Sequence, residues 1–481
     1  MVDKWIFRIF MSFVCLHNVN YAQAQTSEFE KFVTQTMLER NVAGVSIARI
    51  ESGEIVEQFA LAHPDTNAQA MTTNTVFQVG SISKPVAAWV VMTLVRDGKI
   101  ELNAPISRYV SRWRIPPSDF DPEEVTVKRL LSHTAGLSLY GYPGFDEGLT
   151  LPALEASLSG NTNGAGAVEQ ILTPGEQFRY SGGGYTLLQL MVEEVSGIPF
   201  SQYAERVVMS PLGMDNSSYA PNDTLLANRA TPYVQLKPIE YFQFRAEAAA
   251  SLHSTAGDLA KFVVANIKTN PVLGEQLKAQ MQNGVIDIGP NKVGLGFFLE
   301  PQANLIGHNG ANQGWRADLL FNPISRSGLV VLTNSNNADF FLQQVRCYWD
   351  ERFSDAALIE RCQSNVNAHK KQLRILSWVT WALFAASSVL ILLRIYTVMS
   401  SKTTVGFPSR KRRWVFIVLL GILICVANVL LGTSLGVLVI SGFTTSLTAM
   451  DYAPEGLSQV WLAAQILLFC LMLFCFARKL E

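Results

Sequence analysis

Residues 81–95 read Ser81-Ile82-Ser83-Lys84-Pro85-Val86-Ala87-Ala88-Trp89-Val90-Val91-Met92-Thr93-Leu94-Val95. A serine and a lysine three positions apart head an unbroken apolar run. If a helix begins near Ser81, Lys84 falls about one turn on, on the same face. A serine hydroxyl is a poor nucleophile at neutral pH and needs a base within hydrogen-bond reach. A desolvated lysine amine is such a base, and a helix N-terminus favours developing negative charge. Taken alone the pattern is weak: Ser-x-x-Lys arises by chance about once in a chain this long, and an ordinary helix start explains it equally well.

Working outward, residues 27–40 set Phe29, Phe32, Val33 and Met37 at helical spacing, so an amphipathic helix opens the domain. Two β-rich runs, Ala43–Ile50 and Ile55–Ala60, meet at Ser52-Gly53 and predict a hairpin. Strand-like runs return at Val293–Leu299, Ala317–Phe321 and Leu329–Thr333, and Asp339–Phe353 reads as a closing helix. The middle is helical and loop-like, punctuated at Pro143-Gly144, Pro174-Gly175 and Pro211-Leu212-Gly213. Strands from both ends around a helical middle predict an α/β (α+β) fold, one antiparallel sheet flanked by helices with an all-helical subregion.

Four further stretches give Ser81 and Lys84 a context. Leu130-Leu131-Ser132-His133-Thr134-Ala135-Gly136-Leu137 comes first, then Pro174-Gly175-Glu176-Gln177-Phe178-Arg179-Tyr180-Ser181 before the helix-like run Tyr185–Val195. Ser254-Thr255-Ala256-Gly257-Asp258-Leu259 resembles a capping box, with Asp258 able to bond back at Thr255. His308-Asn309-Gly310 precedes strand-like residues and Gly314-Trp315. In this order they resemble the serine β-lactamase/penicillin-binding family, in its class C β-lactamase and DD-peptidase-like branch. The resemblance runs from about Gly44 to Thr333.

What the resemblance implies is assigned residue by residue. Ser81 is the acylated nucleophile, Lys84 its proton-handling partner and Tyr180 the second proton carrier. The family's Tyr-x-Asn element reads Tyr180-Ser181-Gly182 here, so the usual asparagine amide is missing and backbone amides of Gly182 or Gly183 are what remains to substitute. His308-Asn309-Gly310 stands where the family has Lys-Thr-Gly or His-x-Gly, which assigns His308 to the catalytic set and Asn309 and Gly310 to the substrate. The following strand supplies oxyanion donors from the N–H groups of Ala311 and Ser81, each worth roughly 10²–10³ in rate. His133 reads as scaffold, and His253 as near the site only if its loop folds over the cleft. The family needs no cofactor, and no metal site is expected.

Composition adds the compartment. The 481 residues hold 38 Lys+Arg and 39 Asp+Glu, 16% charged against 49% hydrophobic, with a mean hydropathy of +0.19. A net charge of −1 gives no field for nucleic acid. The apolar excess sits at the ends. Lys4, Arg8, the run Ile9–Leu16 and Ala22-Gln23-Ala24 predict a signal peptide over 1–24, an uncleaved anchor being the alternative. Residues 375–393, 414–440 and 457–477 contain no Asp, Glu, Lys or Arg and predict three transmembrane helices in an anchor over 371–481. Arg394, Lys402 and Arg410–Arg413 place the first loop in the cytoplasm, so residues 25–370 form a periplasmic domain at the bacterial inner membrane. Small residues Gly432 and Gly436, and Asn428, read as helix packing within the second span. Cys347 and Cys362 are the two cysteines of that exported part; a disulfide is expected, two free thiols being the alternative.

The expected reaction is acyl transfer through a serine ester to water, on an amide, peptide or ester. Replacing a motif lysine by His308 weakens the cation that holds a substrate carboxylate. That favours peptidase or esterase action, D-amino-acid peptides included, over β-lactam hydrolysis. A penicillin-recognising sensor or scaffold with little turnover is the rival class.

Overall fold

Ser27 opens the first helix by accepting the Glu30 amide at its hydroxyl, and α1 (Glu28–Arg40) closes at Asn41, whose φ of 52° is left-handed. The hairpin follows as β1 (Gly44–Glu51) and β2 (Glu54–Ala62). Ser52 and Gly53 both take positive φ, 52° and 77°, the two-residue turn whose twist matches that of its strands. The computed structural model describes residues 26–66, 71–160, 162–350, 359–360, 362–368 and 371, with 405–406 and 478–479. The expected signal segment and the three expected spans lie outside the described residues. Among the described residues no helix is long and apolar enough to cross a membrane.

Three helices build the middle: α2 (Ser83–Arg96), α3 (Gly182–Ser196) and α4 (Ala256–Ile267). Every residue of α2 from Ser83 to Leu94 is buried, as a helix apolar on all sides must be. Six strands complete the sheet: β3 (Ile286–Ile288), β4 (Asn291–Val293), β5 (Phe298–Glu300), β6 (Leu305–Asn312), β7 (Trp315–Asn322) and β8 (Ser327–Thr333). α5 (Asp339–Trp349) follows. The sheet is antiparallel throughout, in the order β2-β1-β8-β7-β6-β5-β4-β3.

Strand alternation divides the core. Val45, Ile47, Leu329 and Val331 face α1 and α5, meeting Phe29, Val33, Phe341 and Val345. Ala48, Ile50, Val330 and Leu332 face the central helices. β8, Ser-Gly-Leu-Val-Val-Leu-Thr, is buried on both faces, which its continuous apolar run requires.

Four local expectations need correction. The run Val293–Leu299 is a hairpin rather than one strand: Gly294 and Gly296 reverse the chain between β4 and β5, and a side chain at Gly294 would overlap the Met281 carbonyl. The helix read from Tyr185 begins at Gly182, because Ser181 caps it through the Gly184 amide at 2.9 Å. The capping box is half made: Thr255 Oγ1 accepts the Asp258 amide, but the Asp258 carboxylate takes the Asn216 amide and the Ser217 hydroxyl instead. α5 stops at Trp349, where Asp350 turns extended, and residues 351–353 of the expected helix lie outside the described residues. Cys347 in α5 is joined to Cys362 by a disulfide, with Cα atoms 5.8 Å apart.

Candidate active site

The start of α2 sits directly under β6 because two glycines allow it. Gly80 takes φ +52°, and a Cβ there would lie 2.7 Å from the Ala311 nitrogen. A Cβ at Gly310 would overlap the Val79 carbonyl. Backbone therefore meets backbone, and the Ala311 amide comes to rest beside the 3₁₀ turn Gly80–Ile82 that carries Ser81.

Lys84, in the first turn of α2, donates from Nζ to Ser81 Oγ at 3.1 Å and to the Ala249 carbonyl at 2.7 Å. It is 2% exposed, and among the described residues it has no carboxylate at ion-pair distance. Burial alone pulls its pKa from 10.5 down to about 7. The Tyr180 hydroxyl shares a hydrogen bond with Ser81, and burial holds that phenol well above its usual range, so it is neutral. Lys84 Nζ lies 4.8 Å from the Tyr180 ring centre.

Tyr180 is gripped by rings. His133 stacks on it at 4.3 Å and Tyr140 lies at 4.8 Å. His133 takes a left-handed φ of 56° and accepts the Ser181 amide at Nδ1, 3.1 Å. Burial, then the charge of Lys84, keeps its ring neutral. His133 is scaffold, yet its scaffolding role is to aim Tyr180.

The Tyr180-Ser181-Gly182 element departs from the expected arrangement. Gly182 lines the cleft, but its amide is given to the Tyr140 carbonyl at 3.0 Å, and that of Gly183 to Leu139 at 3.1 Å. Neither remains to replace the missing asparagine amide. A Cβ at Gly182 would sit 2.8 Å from the Tyr140 oxygen, so the segment Leu139–Tyr142 fills the space an asparagine would use.

The motif that carries His308 needs one correction. The His308-Asn309-Gly310 motif lies inside β6 instead of preceding a strand; Asn309 and Ala311 line the cleft, and the His308 ring packs 5.0 Å from that of Phe298 and 6.2 Å from that of Tyr180 between ring centres. The buried ring lies 2.6 Å through Nδ1 from the Asn309 carbonyl, while Nε2 has no partner. Burial, followed by the charge of Lys84, pushes its pKa to about 3, so it supplies no cation. His253 is behind the site, its Nε2 2.6 Å from the Tyr241 hydroxyl and its Nδ1 2.8 Å from the Ser251 carbonyl.

Several residues of the cleft were not singled out from sequence. The cavity, about 350 Å³, is walled by Tyr140, Tyr142, Phe178, Phe298 and Ile288 as well as the Ser81 group. Asn312 lines it, donating from Nδ2 to Gln78 Oε1 at 2.6 Å and to the Ala250 carbonyl at 3.1 Å. Arg316 and Asp339 close one side. Arg316 Nε donates to Asp339 Oδ1 at 3.2 Å, and its Nη1 to the carbonyls of Asn312 and Trp315 and to Asn336 Oδ1. The aromatic segment Tyr140-Gly141-Tyr142 was the one visible signal for any of these.

Against known proteins, the family model described as Beta-lactamase matches residues 29–345. Protein flp of Staphylococcus aureus strain MRSA252 is 22% identical over 330 residues, 64% of this chain and 63% of that protein. Esterase EstB of Burkholderia gladioli is 27% identical over 208 residues, 41% of this chain and 52% of that one. The chain thus spans less than two thirds of the length of these curated relatives. Among solved structures, the octameric penicillin-binding protein homologue from Pyrococcus abyssi superposes with a TM-score of 0.55 at 26% identity, covering 64% of this chain and 73% of that one. A β-lactamase/D-alanine carboxypeptidase from Pseudomonas syringae gives 0.55 at 20% identity, covering 70% and 99%. That second likeness is one of fold.

Proposed function

The chain belongs to the beta-lactamase family, and from that premise we propose that it is a serine hydrolase forming an acyl-enzyme on an amide, peptide or ester. One observation carries the reading: a buried lysine with no carboxylate partner among the described residues, at a pKa of about 7, reaches the Ser81 hydroxyl at 3.1 Å. Neutral Lys84 takes the Ser81 proton as Oγ attacks the carbonyl. The oxyanion forms against the amides of Ser81 and Ala311. Tyr180, a neutral phenol bonded to Ser81, relays the proton from the Lys84 ammonium to the leaving group; as water enters, Lys84 takes the water proton and returns it to Ser81 Oγ, so both groups end as they began. Lys84 is the base in this scheme because burial disfavours the Tyr180 phenolate.

The test is a fluorophosphonate probe followed by peptide mapping. Label should sit on Ser81, and Ser81→Ala should abolish both labelling and turnover with little change in melting temperature. Label elsewhere, or turnover by the alanine variant, rejects the assignment.

A second reading, a penicillin-recognising sensor or a β-lactamase, draws on the intact Ser81, Lys84 and Tyr180. The occupied Gly182 and Gly183 amides and the neutral His308 weigh against β-lactam recognition. A chromogenic cephalosporin separates the cases: turnover marks a β-lactamase and a lasting acyl-enzyme a sensor.

We further propose that the domain is exported and held at the bacterial inner membrane by the three apolar runs. The charge asymmetry of the loops supports this orientation. So does the antiparallel pairing of Val405–Gly406 with Arg478–Lys479, since two spans between them return the chain to one side. Reporter enzymes fused after Lys370 and Arg413 should read periplasmic and cytoplasmic respectively; periplasmic activity at Arg413 rejects the three-span topology.

A further inference from the structure

The cleft is built for a particular charge state of its substrate. Three basic side chains, Lys84, His308 and Arg316, lie in or next to the cleft walls, and the nitrogens of Lys84 and Arg316 are already engaged. Lys84 serves Ser81 and the Ala249 carbonyl. His308 is buried beside Tyr180 and Phe298, with Nδ1 against the Asn309 carbonyl. Arg316 is buried to 2% exposure, its Nε on Asp339 and its Nη1 on two backbone carbonyls and Asn336. A guanidinium so committed keeps its charge but has it matched by Asp339. The Asp339 carboxylate itself lines the cavity, and its side chain is 29% exposed. An anionic substrate group near Arg316 therefore also faces the like charge of Asp339. The remaining walls are the rings of Tyr140, Phe178 and Phe298 with Ile288, and the neutral amides of Asn309 and Asn312.

We propose that the cleft selects uncharged, apolar acyl donors and disfavours those with a carboxylate beside the scissile bond, the Arg316–Asp339 pair setting that preference. The proposal rests on the serine-hydrolase reading above and narrows it. It separates this site from one that acts on β-lactams or on peptides ending in a free D-amino acid, since both present a carboxylate next to the bond that breaks. Asp339 and Arg316 act on specificity here, and neither touches the reacting atoms.

A matched pair of thioesters tests it on the full-length protein in detergent: benzoylglycyl-D-thiolactate, and the same compound with its carboxyl methylated. The released thiol gives kcat/KM for each. The methyl ester should be preferred about tenfold or more, since like charges at a binding surface are strongly disfavoured. In Asp339→Asn the Arg316 charge is no longer matched, and the preference should fall about tenfold by gain on the free acid. Should that variant fail to fold, raising the salt concentration in the wild type should also lift the free acid relative to the ester, because screening weakens the repulsion.

An equal or better rate for the free acid overturns the proposal while leaving serine hydrolysis intact. An ester preference indifferent to both Asp339→Asn and salt overturns it too, because the pair would then not be its cause. Turnover of neither thioester, with no fluorophosphonate label on Ser81, removes this proposal and the hydrolase reading together. If Ser81 labels but turnover is too slow to follow, protection from labelling by each thioester reads the same ratio.

Discussion

Lys84 and Arg316 are two basic side chains lining one cleft, each about 2% exposed. They handle burial in opposite ways. Lys84 comes from the helical wall and has no carboxylate partner, so desolvation acts unopposed and brings its amine to about 7. Arg316 comes from the sheet wall and is held by Asp339, two carbonyls and an asparagine, which together replace the water it lost. The lesson is that the missing partner makes the base. A buried amine left without a counter-ion can give up its proton near neutral pH, whereas a paired guanidinium becomes part of the wall.

The most direct way to break this contrast is Lys84→Arg, which keeps a cation but one that stays protonated. Ser81 acylation should fall by roughly 10²–10⁴, the usual loss on removing a general base. Near-normal labelling of Ser81 would mean that charge, and not proton transfer, is what position 84 supplies.

Tyr180→Phe should cost less, on the order of 10–10² in turnover. The ring keeps its packing against His133 and Tyr140, and the pH midpoint should stay where it was because the phenol does not titrate in the working range. A shifted midpoint would make Tyr180, not Lys84, the titrating group.

In the wild type, kcat/KM should rise several-fold with pH through about 7 as Lys84 loses its proton. The same shift predicts a stability trend. Between about 7 and 10.5 the unfolded chain holds the Lys84 proton and the folded one does not, so stability from this group rises with pH across that window. Below about 7 both states are protonated and the full cost of burying the charge remains. Melting curves of wild type and Lys84→Met from pH 7 to 9 should differ in slope in that sense, and parallel curves would remove the shift.

Gly182→Asn sharpens the picture of the segment Leu139–Tyr142. The new side chain meets the Tyr140 carbonyl, so the variant should lose about 1–3 kcal/mol of stability and gain no β-lactam acylation. A gain would mean that the loop yields readily. The smallest effect on turnover is expected from Cys347→Ser: the bridge lies beyond the cleft, and its loss should lower stability by about 3 kcal/mol with kcat/KM unchanged.

What the sequence disclosed follows the range of the interactions. Ser81 and Lys84 are joined by one helical turn, and β1 and β2 by one two-residue turn, so local spacing was enough to place them. Lys84 and Ala249 are 165 residues apart, and Arg316 and Asp339 are 23 apart on different elements, so no spacing rule links either pair. The setting of His308 was hidden for a different reason. Its motif was visible, but β6 runs through that motif, and the ring's burial beside Tyr180 and Phe298 depends on segments far apart in the chain. The aromatic walls were legible as residues and not as a site, because Tyr140 and Phe298 come from segments that only the closed fold brings together.

The glycine-to-backbone contact between the Ser81 turn and β6 has a consequence for how this chain can vary. Gly80 and Gly310 carry no chemistry, yet any side chain at either would push the strand off the turn and draw the Ala311 amide away from Ser81. In a saturation library scored for turnover, these two positions should tolerate as little as Ser81 itself. Gly98 and Gly197, whose Cβ positions open onto free space, should accept asparagine at a cost only in backbone strain. The family's reactive serine is thus hedged by silent positions, and drift in the sequence has to run around them.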